Sequence, residues 1–162
     1  MREYGDLRSV LPHGPQMLLV DQVEWLEPRR ALRALKAITG SEPCYQHLPP
    51  GLPRERYAYP ASLMLESFGQ AAMVLWASTP GEFSLDGKLL MFAAARDFRL
   101  EGRAFPGDVL RHEIEFERSI ADSGFAAGQI WVGDRRIATV GSVIAVVRPA
   151  SLLPAPASAR GS

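Results

Sequence analysis

The sequence predicts an α+β fold, a curved antiparallel sheet wrapped round one long central helix, on three observations. Most of the chain breaks into short β-type runs separated by turn residues. Only one segment, Ser62 to Ser78, has helical length, and it is apolar on nearly every side. Gly133-Asp134 separates the last two runs as a hairpin turn, which makes them antiparallel neighbours.

Taken in order, Met17 to Leu26 and Ala31 to Ile38 read as strands around the turn Glu27-Pro28-Arg29-Arg30. Residues 39–61 hold Pro43, Pro49, Pro50, Pro53 and Pro60, so this stretch reads as a long irregular loop, a kind of segment that is often functional. The helix follows, with Ser62 as its expected N-cap and Pro80-Gly81 as its stop. Lys88 to Phe98, Val109 to Ile120, Phe125 to Val132 and Arg135 to Val147 are the remaining strands. Residues 1–148 are expected to form one domain, with 149–162 a mobile Pro/Ala-rich tail.

Composition narrows the function. At 162 residues, with 47% hydrophobic and 22% charged side chains, one core is sufficient. Eighteen basic and eighteen acidic residues cancel, which disfavours a phosphate-neutralising nucleic-acid binder. The single cysteine, Cys44, excludes an internal disulfide or a multi-cysteine zinc site and reads as a small apolar filler. No secretory leader or membrane-length apolar run stands out, so a cytoplasmic location is expected. Nucleotide-cradling and nucleophile-elbow motifs are missing.

Glu66 and Gln70 fall four apart, on one face of the apolar helix. A carboxylate there is costly to bury unless it is paired or functional, and desolvation is expected to raise its pKa toward that of a general acid. His47 lies in the proline-rich loop, and imidazole suits proton transfer near neutrality. His13 reads as a structural histidine in a turn, and His112 as lying on a solvated strand face beside Glu113. The three histidines have no metal-binding spacing.

Four blocks resemble the β-hydroxyacyl-acyl carrier protein dehydratases of the FabZ type. LPHGPQMLLVDQV (Leu11 to Val23) is similar to LPHRYPFLLVDRV, and EPCYQHLPP (Glu42 to Pro50) to NEPFFQGHFPG. YPASLMLESFGQAA (Tyr59 to Ala72) is similar to FPGVLILEAMAQAG, and FPGDVLRHEIEF (Phe105 to Phe116) to VPGDQLRLEVEL. The blocks keep the family order and the resemblance spans about residues 11–147.

The resemblance implies a hotdog fold and a homodimer or dimer-based oligomer. It implies that His47 and Glu66 from opposite subunits convert a (3R)-3-hydroxyacyl thioester to the trans-2-enoyl thioester, without a metal or redox cofactor. The substrate would ride on the phosphopantetheine of an acyl carrier protein. His47 would take the α-proton and Glu66 would protonate the leaving hydroxyl. Backbone N–H groups of Ala61 or Ser62 would hold the thioester oxygen, and Gln70 would orient the carboxyl group. Arg96, Arg99 and Arg103 precede Pro106-Gly107-Asp108, where the family presents cations to its carrier. Phe68, Met64, Phe92 and Phe98 are candidates to line an acyl tunnel.

Departures from the family pattern cluster around the loop. Gln46 stands before His47 in place of Gly, Leu48 replaces Phe, and Pro50 and Ala61 replace Gly. The stretch Leu52 to Tyr57 lengthens the path to Glu66. These changes point to a polyketide or other secondary-metabolite substrate over a fatty-acid one. A hotdog acyl thioesterase, or an inactive acyl-binding or heterodimer subunit, is the alternative.

Overall fold

The computed structural model describes residues 4–78 and 87–152. One six-stranded antiparallel sheet has the order β1-β2-β4-β5-β6-β3, with β1 Gln22–Glu27, β2 Ala31–Ala37, β3 Lys88–Leu100, β4 Val109–Ile120, β5 Ser123–Val132 and β6 Arg135–Pro149. The long helix α2, Ala61–Ala77, packs against strands β2 to β6. This is the hotdog architecture that the resemblance implies.

The sheet curves because its ladders are interrupted. Register shifts occur at Phe92/Ala94 in β3, at Phe116/Arg118 in β4 and at Ala126/Gly128 in β5. Such bulges bend and twist a strand, which lets the sheet close round a helix. The wrapped helix is buried from Ser67 to Trp76, as its continuous apolar surface requires. Each of Met64, Phe68, Met73 and Leu75, almost wholly enclosed, contributes roughly 1.5–3 kcal/mol by leaving water. Gly124 admits the Trp76 ring, since a Cβ there would stand 2.6 Å from it.

Several expectations are corrected. Ser62 is not the N-cap: Pro60, with φ −58° and ψ 132°, precedes the helix, and Ser62 is exposed in the first turn. At the other end Ser78 caps, its Oγ donating to Leu75 O, while Pro80-Gly81 lies outside the described residues. The first strand begins at Gln22, not Met17, because the Leu19 N–H is taken by the Gln70 side chain. A short helix α1, Tyr4–Val10, has no counterpart in the sequence reading. Strand β6 runs on to Pro149, followed by a 3-10 turn at Ala150–Leu152, and the rest of the expected tail lies outside the described residues.

The proline-rich loop is turn upon turn. It holds 3-10 turns at Pro43–Tyr45 and Arg54–Tyr57. Gly51 adopts φ 79°, open to glycine, between them. Tyr57 Oη donates to Pro49 O, and the Arg54 guanidinium stacks 4.4 Å over Phe105. At the loop's root Lys36 Nζ lies 2.5 Å from Glu42 Oε1, both side chains almost fully buried.

Candidate active site

Glu66 projects from the first half of α2, half-buried, just before the enclosed run Ser67 to Trp76. Gln70, one turn on, is fully buried and clasps three groups. Its Nε2 donates to Glu66 Oε1 at 2.9 Å and to Met17 O at 2.7 Å, while its Oε1 accepts the Leu19 N–H at 2.8 Å. The shared helix face read from the i, i+4 spacing is thus a direct contact. The clasp also ties the segment after α1 to the helix.

That tie brings His13 to Glu66. Its Nε2 lies 3.3 Å from Glu66 Oε1, an imidazole–carboxylate contact at the long end of hydrogen-bonding range. Sequence reasoning missed this partner. The only signal was the position of His13 in the block leading to the first strand.

The electrostatics of Glu66 reverse the expected direction. Its pKa is lowered, chiefly by the hydrogen bond from His13; burial opposes this, and Gln70 adds to the lowering. The apolar helix therefore does not hold Glu66 protonated in the single chain, because two nitrogen donors outweigh the desolvation.

His47 is exposed in the loop and is not among the residues that Glu66 contacts within the chain. At the helix start, the N–H groups of Leu63 and Met64 both donate to Pro60 O. The first helical amides without an intrahelical acceptor are therefore those of Ala61 and Ser62, at the positive end of the dipole. Ala61 is not among the positive-φ residues, so alanine is accommodated where the family has glycine.

His112 is corrected outright. It is fully buried, not solvated, and faces the helix, where its Nε2 lies 2.9 Å from Ser67 Oγ. Its ring meets Phe68 edge-on at 5.9 Å. Met64 and Phe68 are enclosed in the core, and Phe92 and Phe98 pack against it.

Arg96 and Arg99 are exposed on β3, and Arg103 is exposed in the loop beyond it. Arg99 pairs in register with Thr139 and borders an outer groove of about 1060 Å³ with Trp25, Asp97 and Glu113. No residue of α2 lines that groove, so it is separate from Glu66. Among the described residues, no three of His, Cys, Asp and Glu gather as a metal would require, and no helix is long and apolar enough to cross a membrane.

Comparison with known proteins agrees with this geometry. A family model described as a FabA-like domain matches residues 11–141. The 3-hydroxyacyl-[acyl-carrier-protein] dehydratase FabZ of Symbiobacterium thermophilum is 36% identical over 91% of this chain and 99% of its own. That of Actinobacillus pleuropneumoniae is 33% identical over 83% of this chain and 84% of its own. Among solved structures, the dehydratase heterocomplex ApeI:P from Xenorhabdus doucetiae superposes with a TM-score of 0.65 at 17% identity, covering 86% of this chain and 89% of that one. A thioesterase-superfamily protein of Thermus thermophilus gives 0.56 at 14% identity, over 79% and 88%, and shares the fold. With the four sequence blocks, the single central helix and its Glu66, these matches place the chain in the FabA-like family, among the FabZ-type 3-hydroxyacyl-[acyl-carrier-protein] dehydratases.

Proposed function

We propose that this chain, a dehydratase-family enzyme, removes water from a (3R)-3-hydroxyacyl thioester on an acyl carrier protein, at sites shared by two copies. The observation that carries this reading is Glu66, the one carboxylate of a buried helix, with Oε1 held by Gln70 and His13. Both contacts fall on Oε1, which leaves Oε2 for substrate.

His47 of the second copy takes the proton from Cα. The developing enolate oxygen is held by the Ala61 and Ser62 N–H groups and the helix dipole. The 3-hydroxyl donates a hydrogen bond to Glu66 Oε2 and keeps its hydrogen. As the C–O bond breaks, the leaving oxygen takes the proton from His47 and departs as water. The double bond forms between Cα and Cβ. Glu66 thus acts as an acceptor that aligns the leaving group, in the ionised form that its lowered pKa in the single chain favours. Elimination of water is redox-neutral and moves only protons.

The reading takes two copies, since among the described residues Glu66 is held by Gln70 and His13 and not by His47 of its own chain. The long edge strand β3, with exposed Met91 and Leu100, offers a surface for pairing. The departures in the His47 loop support a polyketide or other secondary-metabolite acyl group. A cytoplasmic site suits a carrier-borne substrate.

The test is mass spectrometry of 3-hydroxyacyl carrier protein incubated with the chain. Loss of one water with the thioester intact is expected, and its abolition by His47→Ala or Glu66→Gln. Release of free acid would assign a thioesterase instead. Full activity in either variant would overturn the assignment.

A further inference from the structure

We infer that His13 is a positioning residue for Glu66: its Nε2–H and the Gln70 amide together fix Oε1, so that Oε2 faces the substrate hydroxyl. The inference rests on the dehydration reading above and adds a residue to it.

The geometry has three parts. First, His13 and Glu66 are each only about one-fifth exposed, at 21% and 23%, and their contact spans 3.3 Å. Second, His13 Nδ1 is buried without a partner. The tautomer protonated on Nε2 leaves only a lone pair at Nδ1 and puts the N–H on the nitrogen nearest the carboxylate, whereas the other tautomer would bury an unsatisfied N–H. Third, the turn carrying His13 is rigidly placed. Met17 N and Leu18 N both donate to Gly14 O, and Gln70 holds Met17 O and Leu19 N from the helix.

One donor alone would let the carboxyl group rotate about its own bond. Two donors converging on one oxygen, from the helix and from the N-terminal segment, define its plane. A leaving group aligned by Oε2 depends on that plane, and misplacement by about an ångström costs on the order of a hundredfold in rate.

The test compares His13→Ala and His13→Gln. Glutamine keeps an N–H donor at about the place of Nε2; alanine removes it. Expected for His13→Ala is a fall in kcat of about tenfold to a hundredfold, with KM little changed, because the loss is one of alignment. His13→Gln should recover most of it. Matched melting temperatures establish that both variants are folded. In parallel, carbon-13 NMR titration of the Glu66 carboxyl group should show its pKa rising in His13→Ala and returning toward wild type in His13→Gln.

Unchanged kcat in His13→Ala would overturn the inference, as would equal losses in both variants. If the wild-type chain removes no water from any 3-hydroxyacyl thioester, the proposed function falls. The NMR titration then decides the positioning alone, and an unmoved Glu66 overturns it.

Discussion

Ser67 Oγ and His112 Nε2 lie 2.9 Å apart in the core, joining α2 to β4 where both side chains are fully enclosed. Ser67 Oγ donates to Met64 O at 3.0 Å, so its lone pair is free to accept from His112 Nε2–H. Both hydroxyl and ring are then satisfied except for Nδ1. The family blocks carry Ala and Leu at these positions, so the pair is a coupled departure from an apolar contact.

This pair predicts acid sensitivity. Burial alone pushes the His112 pKa down to about 3, against an ordinary 6.5. Between those values the unfolded chain binds a proton that the folded chain refuses. Stability therefore rises with pH across that window, is fully present above about 6.5 and drains as pH falls toward 3. The slope from this group approaches about 1.4 kcal/mol per pH unit. Denaturant melts between those limits should show it. Replacing the pair together, Ser67→Ala with His112→Leu, should abolish this component, whereas Ser67→Ala alone should cost about 1–3 kcal/mol by orphaning the ring donor. An unchanged pH dependence in the double variant would refute the assignment.

The proposed sharing of sites between two chains predicts complementation. His47→Ala and Glu66→Gln should each be inactive, yet unfolding and refolding them together should restore activity. A mixed dimer keeps one intact site, His47 of one copy with Glu66 of the other. Random pairing makes half the dimers mixed, so about a quarter of wild-type activity should return. No recovery, with mixed dimers demonstrated by native mass spectrometry, would place the site within one chain.

The buried Lys36–Glu42 ion pair anchors the start of the His47 loop, with Lys36 Nζ also donating to Ala37 O at 2.7 Å. Lys36→Met should leave the Glu42 charge enclosed and unpaired, at a cost of roughly 3–5 kcal/mol. Lys36→Met combined with Glu42→Leu should recover much of that stability while leaving the loop less fixed. Chemical denaturation measures the first effect and kcat the second. Equal stability of wild type and Lys36→Met would mean the pair is solvated.

The sheet's bend predicts a second sensitive position. Gly128 sits at the β5 bulge with φ 158°, and a Cβ there would come 2.0 Å from Glu113 O, a backbone atom that cannot step aside. Gly128→Ala should destabilise by about 3 kcal/mol or more, or force the bulge to shift. A melting temperature equal to wild type would show the curvature to be adaptable.

How much of this was legible follows from the range of each interaction. Glu66 and Gln70 were readable together because helical period alone sets their spacing. His112 was misread although the signal was present: Arg111 and Glu113 alternate with Leu110, His112 and Ile114, and period two puts the last three inward. The contact of His13 with Glu66 was not legible, since it depends on a clasp between residues distant in sequence. Helix α1 is too short to form by propensity and rests on the burial of Leu7 and Leu11.

The neutral total of eighteen against eighteen charges conceals the arginines of β3 and its following loop, and carrier docking is the prediction that draws on them. Arg96 and Arg99 are exposed on the edge strand, with Asp97 held between them at φ 51°. Arg103 is exposed past the strand's end, and its carbonyl accepts from Arg135 Nη2 at 3.2 Å. An acidic carrier docking there would gain mainly long-range attraction, which salt screens over about 10 Å at 0.1 M. Binding of an acyl carrier protein should therefore weaken steeply with added salt. Arg99→Glu should reduce affinity about tenfold or more, through slower association, and should flatten the salt dependence. The intrinsic rate on a small acyl thioester lacking the carrier should stay unchanged, because Arg99 borders the outer groove and not Glu66. Surface plasmon resonance at two ionic strengths reads the first effect and turnover of the small thioester reads the second. Carrier affinity indifferent to both salt and Arg99→Glu would move the docking site elsewhere on the chain.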